Sequence, residues 1–314
     1  MDRQGAAVLA ATAVAAVGLA AAAGPDLSAI HLARWLAPGA DRVRALTTQP
    51  TECLRPARSA DEAYAIEVGR AAFRSPLLLG GQAARAGVAC DNCHRNGRNN
   101  PEFDFPGLSG APGTADVTSA LFSAHRDDGI DNPKPIPDLS GPRAALKISQ
   151  APSDGALEHF IHGIVREEFE GAEPTPAVLS GVATYVRALS PAACPAAARE
   201  PLTPATYAAN ARRAVAAAIA ALDRKDAPTA AFLTEAARTP LGLIDERYDA
   251  PQSADARAAL RAADLELAAA ADAIRAGAPH ARERLVAWLA GEPVWMRIVE
   301  REAPESLFNP KRLG

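Results

Sequence analysis

Hydrophobic and polar positions follow two regimes along this chain. Between residues 59 and 195 short periodic stretches alternate with irregular ones, whereas beyond residue 200 apolar positions recur at helical spacing almost to the end. In the first regime, Ser59 followed three residues later by Glu62 forms a capping box that opens a helix running to about Phe73. A stretch rich in Gly, Pro, Asn and Asp follows, from about Gly80 to Pro142, too irregular to build a helical core of its own. Two helical stretches come next, Asp154 to Glu168 and Pro176 to Leu189, separated by the turn-forming GAEPTP.

In the second regime Thr203 caps and Pro204 starts a helix whose larger side chains, Tyr207, Val215, Ile219 and Leu222, lie on one stripe. Further helices are expected at Ala227 to Arg238, Ser253 to Arg275 (stripe Leu260, Leu267, Ile274) and His280 to Ala290, with a last short one around Val294 to Glu302. This part has no Cys, one His and no clustered ligand set, so it reads as a packing or docking module. The resulting division is an N-terminal segment over 1–24, a linker with a short helix over 25–58, one domain over 59–195 and an α-helical bundle over 200–314.

Composition agrees with a mostly α protein. Hydrophobic residues make up 48% of the 314 residues but aromatics only 5%, so alanine supplies much of the apolar count, which favours smooth, closely packed helices over an aromatic-rich β core. The formal net charge of -4 and the absence of any concentrated Lys or Arg segment exclude nucleic acid as an expected partner. At the extreme N-terminus one Arg precedes an uncharged stretch from Gly5 to Gly24 that ends in small residues, the pattern of an export signal, with an uncleaved membrane anchor as the rival reading. The expected location is the periplasm, soluble or associated with the membrane through that segment.

CDNCH, Cys90 to His94, carries the chemistry. In c-type haem attachment two thiols add across the two vinyl groups of the porphyrin, two intervening residues give the turn that reaches both, and the adjacent His is the proximal iron ligand. The rival readings are a thioredoxin-type redox pair, which belongs at the end of a strand in a βαβ context, half of a zinc site, which needs a second ligand pair, and chance. The loop-rich, strand-poor surroundings and the lack of a second CxxC or HxxxH favour one covalent haem c held by Cys90, Cys93 and His94. Its apolar face would supply the core that the Gly80 to Pro142 stretch lacks.

The stretch GRAAFRSPLLLGG, followed shortly by CDNCH, resembles the opening of a haem domain in the bacterial dihaem cytochrome c peroxidase and MauG-like family. GTADVTSALFSAHRDDG resembles that family's loop ending in an aromatic or His before Asp-Gly, and GAEPTPAVLSGVATYVRALS its C-terminal cytochrome helix. The resemblance covers about residues 59–191 and implies a cytochrome c-like haem domain whose first and last helices cross, bringing Gly69 near Tyr185, with Gly181 at a contact position. The chain departs from the family in having one CxxCH rather than two, which argues against a complete peroxidase of that type. Where many cytochromes c place a Met-Pro turn, this chain reads Glu173-Pro174, and its only Met residues are Met1 and Met296.

The sixth iron position is therefore filled by His or left open. His125, in an irregular loop where no helical face restricts its aim, and His162, at the edge of the apolar face set by Leu157, Phe160, Ile161 and Ile164, are the candidates. His159 falls on the far, solvated side, and His31 and His280 take surface or packing roles. Arg95, Arg98, Arg126 and Arg143 are candidate partners of haem propionates, each with a solvated-surface alternative, and Phe73, Phe103, Phe105, Phe122 and Tyr185 are read as pocket wall and core. Cys53 and Cys194 flank the domain and, in an oxidising compartment with crossed terminal helices, are expected to form a disulfide.

Two functions follow. One is an electron-transfer cytochrome docking an unidentified redox partner protein; the other is a peroxidase-like or gas-binding haem protein with open iron, in which Glu173 serves as general acid-base catalyst unless it is merely a solvated loop carboxylate.

Overall fold

The computed structural model describes residue 27 and residues 30–118, 121–122, 129–194 and 198–313. The protein is mostly α-helical. Two short helices, α1 (His31–Arg34) and α2 (Arg42–Thr47), precede a strand, β1 (Thr48–Pro50). Then come α3 (Ala60–Phe73), α4 (Pro76–Leu79), α5 (Gly81–Ala86) and the single turn α6 (Cys90–Cys93). Past the minimal hairpin of β2 (Thr114–Ala115) and β3 (Lys134–Pro135) lie α7 (Ala156–Gly163), which continues as a π-helical turn over Ile164–Glu168, and α8 (Pro176–Ala188). Strand β4 (Arg199–Pro201) leads into α9 (Pro204–Asp223), α10 (Ala227–Ala236), α11 (Arg238–Asp245), α12 (Ala254–Arg275) and α13 (Ala281–Glu302).

Local chemistry explains the helix starts. The Ser59 hydroxyl accepts the Glu62 N–H at 3.1 Å, as a capping residue should. Glu62, however, does not complete the box: its carboxylate accepts the Arg58 N–H and the guanidiniums of Arg55 and Arg58, because two cations within reach outcompete one amide. Thr175 and Thr203 cap α8 and α9, each with Pro at the first helical position.

The pivotal contact is between α3 and α8. A Cβ on Gly69 would lie 2.0 Å from the Gly181 carbonyl oxygen, so the two backbones touch at a pair of glycines. Tyr185, one turn beyond Gly181, packs on Phe73 with ring centroids 5.1 Å apart. Helix α3 also packs on α9 and α10, and one continuous apolar core runs from Ile66 in α3 to Phe308 beyond α13.

Three features differ from the sequence pattern. The stretch read as a linker is built into the fold: β1 pairs antiparallel with β4, with Gln49 opposite Glu200, and the buried Arg95 and Arg247 guanidiniums donate to the Ala45 and Leu46 carbonyls at 2.9 and 2.7 Å. Helix α11, which contains Pro240 and Gly242, was masked by those helix breakers but buries Leu241 and Ile244. The two expected C-terminal helices are one, with Pro293 inside α13. An internal proline costs about 3 kcal/mol, which burial of Trp288, Trp295, Met296 and Val299 on both sides of it offsets. The N-terminal segment 1–24 lies outside the described residues, and among the described residues no helix is long and apolar enough to cross a membrane.

Candidate haem-attachment site

The CDNCH motif sits on the one-turn helix α6, which leaves Cys90 and Cys93 on neighbouring positions of a single turn. Asn92 fixes the start of that turn by accepting the Ala89 N–H at 2.7 Å on its side-chain oxygen, while Asn100 donates to the Asn92 carbonyl at 2.8 Å. Both cysteines are free and half-buried, packed against the main core. Burial pushes both thiols up to about 12, with Asp91 adding to the effect on Cys90 and Cys90 to that on Cys93. They are neutral thiols near pH 7, the opposite of the depressed pKa that an attacking redox cysteine needs. No strand leads into the pair, and among the described residues no group of three His, Cys, Asp or Glu side chains could hold a metal ion.

His94 follows directly. Its Nδ1 lies 3.0 Å from the Pro137 carbonyl oxygen. A carbonyl only accepts, so Nδ1 carries the proton and Nε2 keeps its lone pair. Burial drives the imidazole pKa down to about 4, opposed by the Pro137 carbonyl and by Asp138, so the ring is neutral in the form that binds a metal. The Phe73 ring stands 6.4 Å away, at a tilt. No protein-family model, no curated protein and no solved structure matches the chain.

The loop that presents Pro137 is itself held. Arg98 Nε donates to Asp138 at 2.8 Å, and the other Asp138 oxygen takes the Ser140 N–H and hydroxyl at 2.9 and 2.7 Å. On the other side of the motif, Asn96 is buried with φ +52, a left-handed conformation that Asn tolerates better than most residues. Its N–H donates to Asp91 at 2.8 Å, its amide NH2 to the Pro50 carbonyl at 2.7 Å, and its side-chain oxygen accepts from Arg74 at 2.7 Å. Arg74 in turn shares the buried Glu52 carboxylate with Arg70 and the Tyr185 hydroxyl. Burial pushes Glu52 upward, but Arg74 and Arg70 more than offset it and hold its carboxyl below the usual range. Pro137, Asn96 and Glu52 were invisible to sequence reasoning, since a backbone carbonyl and two ordinary polar residues carry no spacing signature.

The remaining candidates are placed as follows. His125 and Arg126 lie outside the described residues. His162 and Glu173, rivals in the sequence, are partners here: His162 Nε2 is 3.0 Å from both Glu173 oxygens, and Arg166 Nε is 3.3 Å from one of them. Glu173 is 65% exposed, so this is a surface cluster. His159 is exposed, as is Phe160, which the helical pattern had put on the apolar face. His31 pairs with Glu246 at 2.5 Å, and His280 is exposed ahead of α13. Arg95 is buried with one guanidinium nitrogen on Ala45, and Arg143 caps the end of α8 by donating to the Arg187 and Leu189 carbonyls at 2.8 and 2.5 Å. Neither is a solvated surface residue, and both are committed to backbone oxygens.

Phe73, Phe103, Phe105, Phe122 and Tyr185 are all buried. They form two groups: Phe73 with Tyr185 beside His94, and a string in which Phe105 stacks on Trp35 at 4.1 Å and meets Phe122, which meets Phe169 at 5.4 Å. Cys53 and Cys194 form a disulfide with Cα atoms 5.3 Å apart. The bridge lies beside the β1–β4 pair and closes the chain around both the CDNCH turn and the crossed helices.

Proposed function

We propose that this chain is an extracytoplasmic mono-haem c-type cytochrome that carries electrons to or from a partner protein. The observation that carries the reading is the state of His94: its Nδ1 proton is committed to the Pro137 carbonyl, which leaves a neutral Nε2 beside two unreactive, half-buried thiols at the spacing that porphyrin vinyl groups require. Cys90 and Cys93 would hold the haem covalently and His94 would bind its iron; the haem supplies one-electron chemistry, and Arg98, Asp138 and Pro137 keep the imidazole in the ligating tautomer. Residues 59–195 then form a cytochrome c-like unit whose first and last helices cross at Gly69 and Gly181, in keeping with the resemblance to the dihaem peroxidase and MauG-like family, and residues 200–314 form a helical bundle that docks against it. The Cys53–Cys194 bridge supports export to an oxidising compartment such as the periplasm.

A second reading, open iron that binds peroxide or a small gas, is favoured by the scarcity of sixth ligands. No Met lies between Met1 and Met296, Met296 is buried in α13, and the Nε2 of His162 is already engaged by Glu173 and so is not free to bind iron in this arrangement. His125 is the sixth-ligand proposal under the first reading. Production in a host able to mature c-type cytochromes tests both. Mature protein heavier than its polypeptide by one haem, with a thioether-type haemochrome spectrum, is expected, and a colourless product of bare polypeptide mass overturns the whole reading. A purely low-spin ferric spectrum selects the electron carrier; high-spin iron with peroxide turnover selects the open site.

A further inference from the structure

Between the CDNCH-bearing part and the C-terminal helices lies a polar cavity of about 290 Å³. Helix α3 supplies Arg70 to its wall and the residue that ends it, Arg74, adds a second guanidinium; α9 supplies Asn210 and Arg213, and Glu52 and Glu200 complete the charged lining. A smaller pocket shares Arg70, Arg74, Asn210 and Arg213 with it and adds Glu67. Glu67 reaches Arg70 at 3.5 Å and Asp91 reaches Arg74 at 4.0 Å, so Arg213 is the guanidinium left without a carboxylate among the described residues. In the wall of the larger cavity three guanidiniums face two carboxylates, and one of these, Glu52, already serves Arg70, Arg74 and the Tyr185 hydroxyl. Glu200 is occupied by the amides of Gln49 at 2.6 Å and Asn96 at 3.4 Å.

Two donors are left over. Arg70 Nε is buried without a hydrogen-bond partner, although its terminal nitrogens reach Glu52 and, at 3.5 Å, Glu67. Arg213 forms no ion pair among the described residues; its one contact is a long hydrogen bond to Asn210 at 3.4 Å, and it is exposed at the rim. Its pKa is lowered, first by burial and then by the like charge of Arg70. Guanidinium groups gathered around one cavity, one of them without a carboxylate partner, are what a multi-oxygen anion satisfies, because each planar fork offers paired donors to two oxygens.

From this geometry we infer that the cavity is a binding site for a small oxyanion, a short-chain carboxylate or inorganic phosphate, gripped by Arg213 and Asn210 from α9 and by Arg70 from α3. The site straddles the seam between the two halves, so an occupant fastens one to the other. It is also wired to the CDNCH turn, since Arg74 in its wall donates to Asn96 and Asn96 donates to Asp91, the residue after Cys90. The binding step is independent of whether a haem is attached. A second consequence does rest on the haem reading: a negative charge at this seam favours the ferric over the ferrous state and moves the midpoint potential downward.

Isothermal titration calorimetry on the full mature chain tests the site, with inorganic phosphate in one arm, malonate in the other and sodium chloride at matched ionic strength as control. Saturable binding of at least one oxyanion is expected, weakened about tenfold or more by Arg213→Glu and partly kept by Arg213→Lys. Arg213 lies at the rim, so a melting curve like that of the parent shows that the variant is folded. No saturable heat with either anion, or binding that Arg213→Glu leaves unchanged, overturns the proposal. If the anion binds but no coloured protein is ever obtained, the haem reading fails and this site stands; if coloured protein binds neither anion, the reverse holds.

Discussion

The part of the chain that bears Cys90, Cys93 and His94 and the part beyond Pro204 are held together by different physics. From α9 to α13 each helix buries its own apolar stripe, as Leu260, Leu267 and Ile274 do in α12, and ion pairs such as Arg212–Glu292 and Arg238–Asp264 are added between helices that the stripes already hold. Among the described residues between Ala89 and Pro142 there is little regular structure: buried Phe103, Phe105, Leu108, Phe122 and Ile136 reach the main core, and individual hydrogen bonds fix the loops around them, Arg98 on Asp138, Asn100 on the Asn92 carbonyl, and Asp116 on the Asn132 N–H at 3.0 Å. Periodic burial tolerates substitution because many contacts share the load. A network of single contacts does not, and it is the arrangement that can hold one imidazole in one tautomer.

That contrast can be broken experimentally. The largest effect is expected, under the haem proposal, for Cys90→Ser with Cys93→Ser, which should leave a colourless protein of bare polypeptide mass while far-ultraviolet circular dichroism still reports the helices of α9 to α13. Retained colour in the double variant would remove the basis of the contrast. Next comes the Cys53–Cys194 bridge, whose partners are 141 residues apart in sequence. In the chain-entropy view, a loop of that length contributes about 5 kcal/mol, so thermal melts with and without reductant should differ substantially, and the loss should fall on the Ala89–Pro142 part first in hydrogen exchange.

Glu52→Gln leaves Arg70 and Arg74 facing a neutral group, with an expected cost on the order of 3 kcal/mol. Its signature is a pH dependence. The Glu52 carboxyl is lowered in the folded protein, so its contribution is complete above the unfolded carboxylate pKa and is lost as pH falls through the folded value. Parent stability, measured by denaturant unfolding, should therefore fall on the acid side, and the variant should show a shallower fall; identical acid limbs would show that Glu52 is not ionised in the fold.

Two glycine substitutions sharpen the comparison further. Gly69→Ala drives a methyl into the Gly181 carbonyl, and forcing the helices apart should cost about 3 kcal/mol, the upper end for overpacking. Gly291→Ala in α13 meets nothing within 4 Å and should raise stability by about 0.5–1 kcal/mol, since alanine is the better helix former. Equal and small effects in the two melting curves would show that the α3–α8 crossing is not as tight as described.

Legibility in the sequence tracked the same division. The capped starts at Ser59 and Thr203 were readable because capping is a contact between residues three apart. The break expected at Pro293 was not there, because a local rule about proline yields to tryptophans buried on both sides of it. The CDNCH turn was readable as chemistry, yet nothing in the spacing pointed to Pro137 as the acceptor for His94, 43 residues away, or to the pairing of His162 with Glu173.

What the linear order of residues determined by itself is whatever depends on neighbours: helix starts, apolar stripes, the paired thiols with their adjacent imidazole, and the mostly helical class. Only the tertiary structure decided which nitrogen of His94 is free, that Thr48–Pro50 in the stretch read as a linker pairs with β4, and that Arg70, Arg74 and Arg213 line one cavity. The reason is the range of the forces involved. Capping and periodicity act over a turn or two, whereas a tautomer, a strand pairing and an unbalanced charge cluster are set by groups that meet only once the whole core has closed.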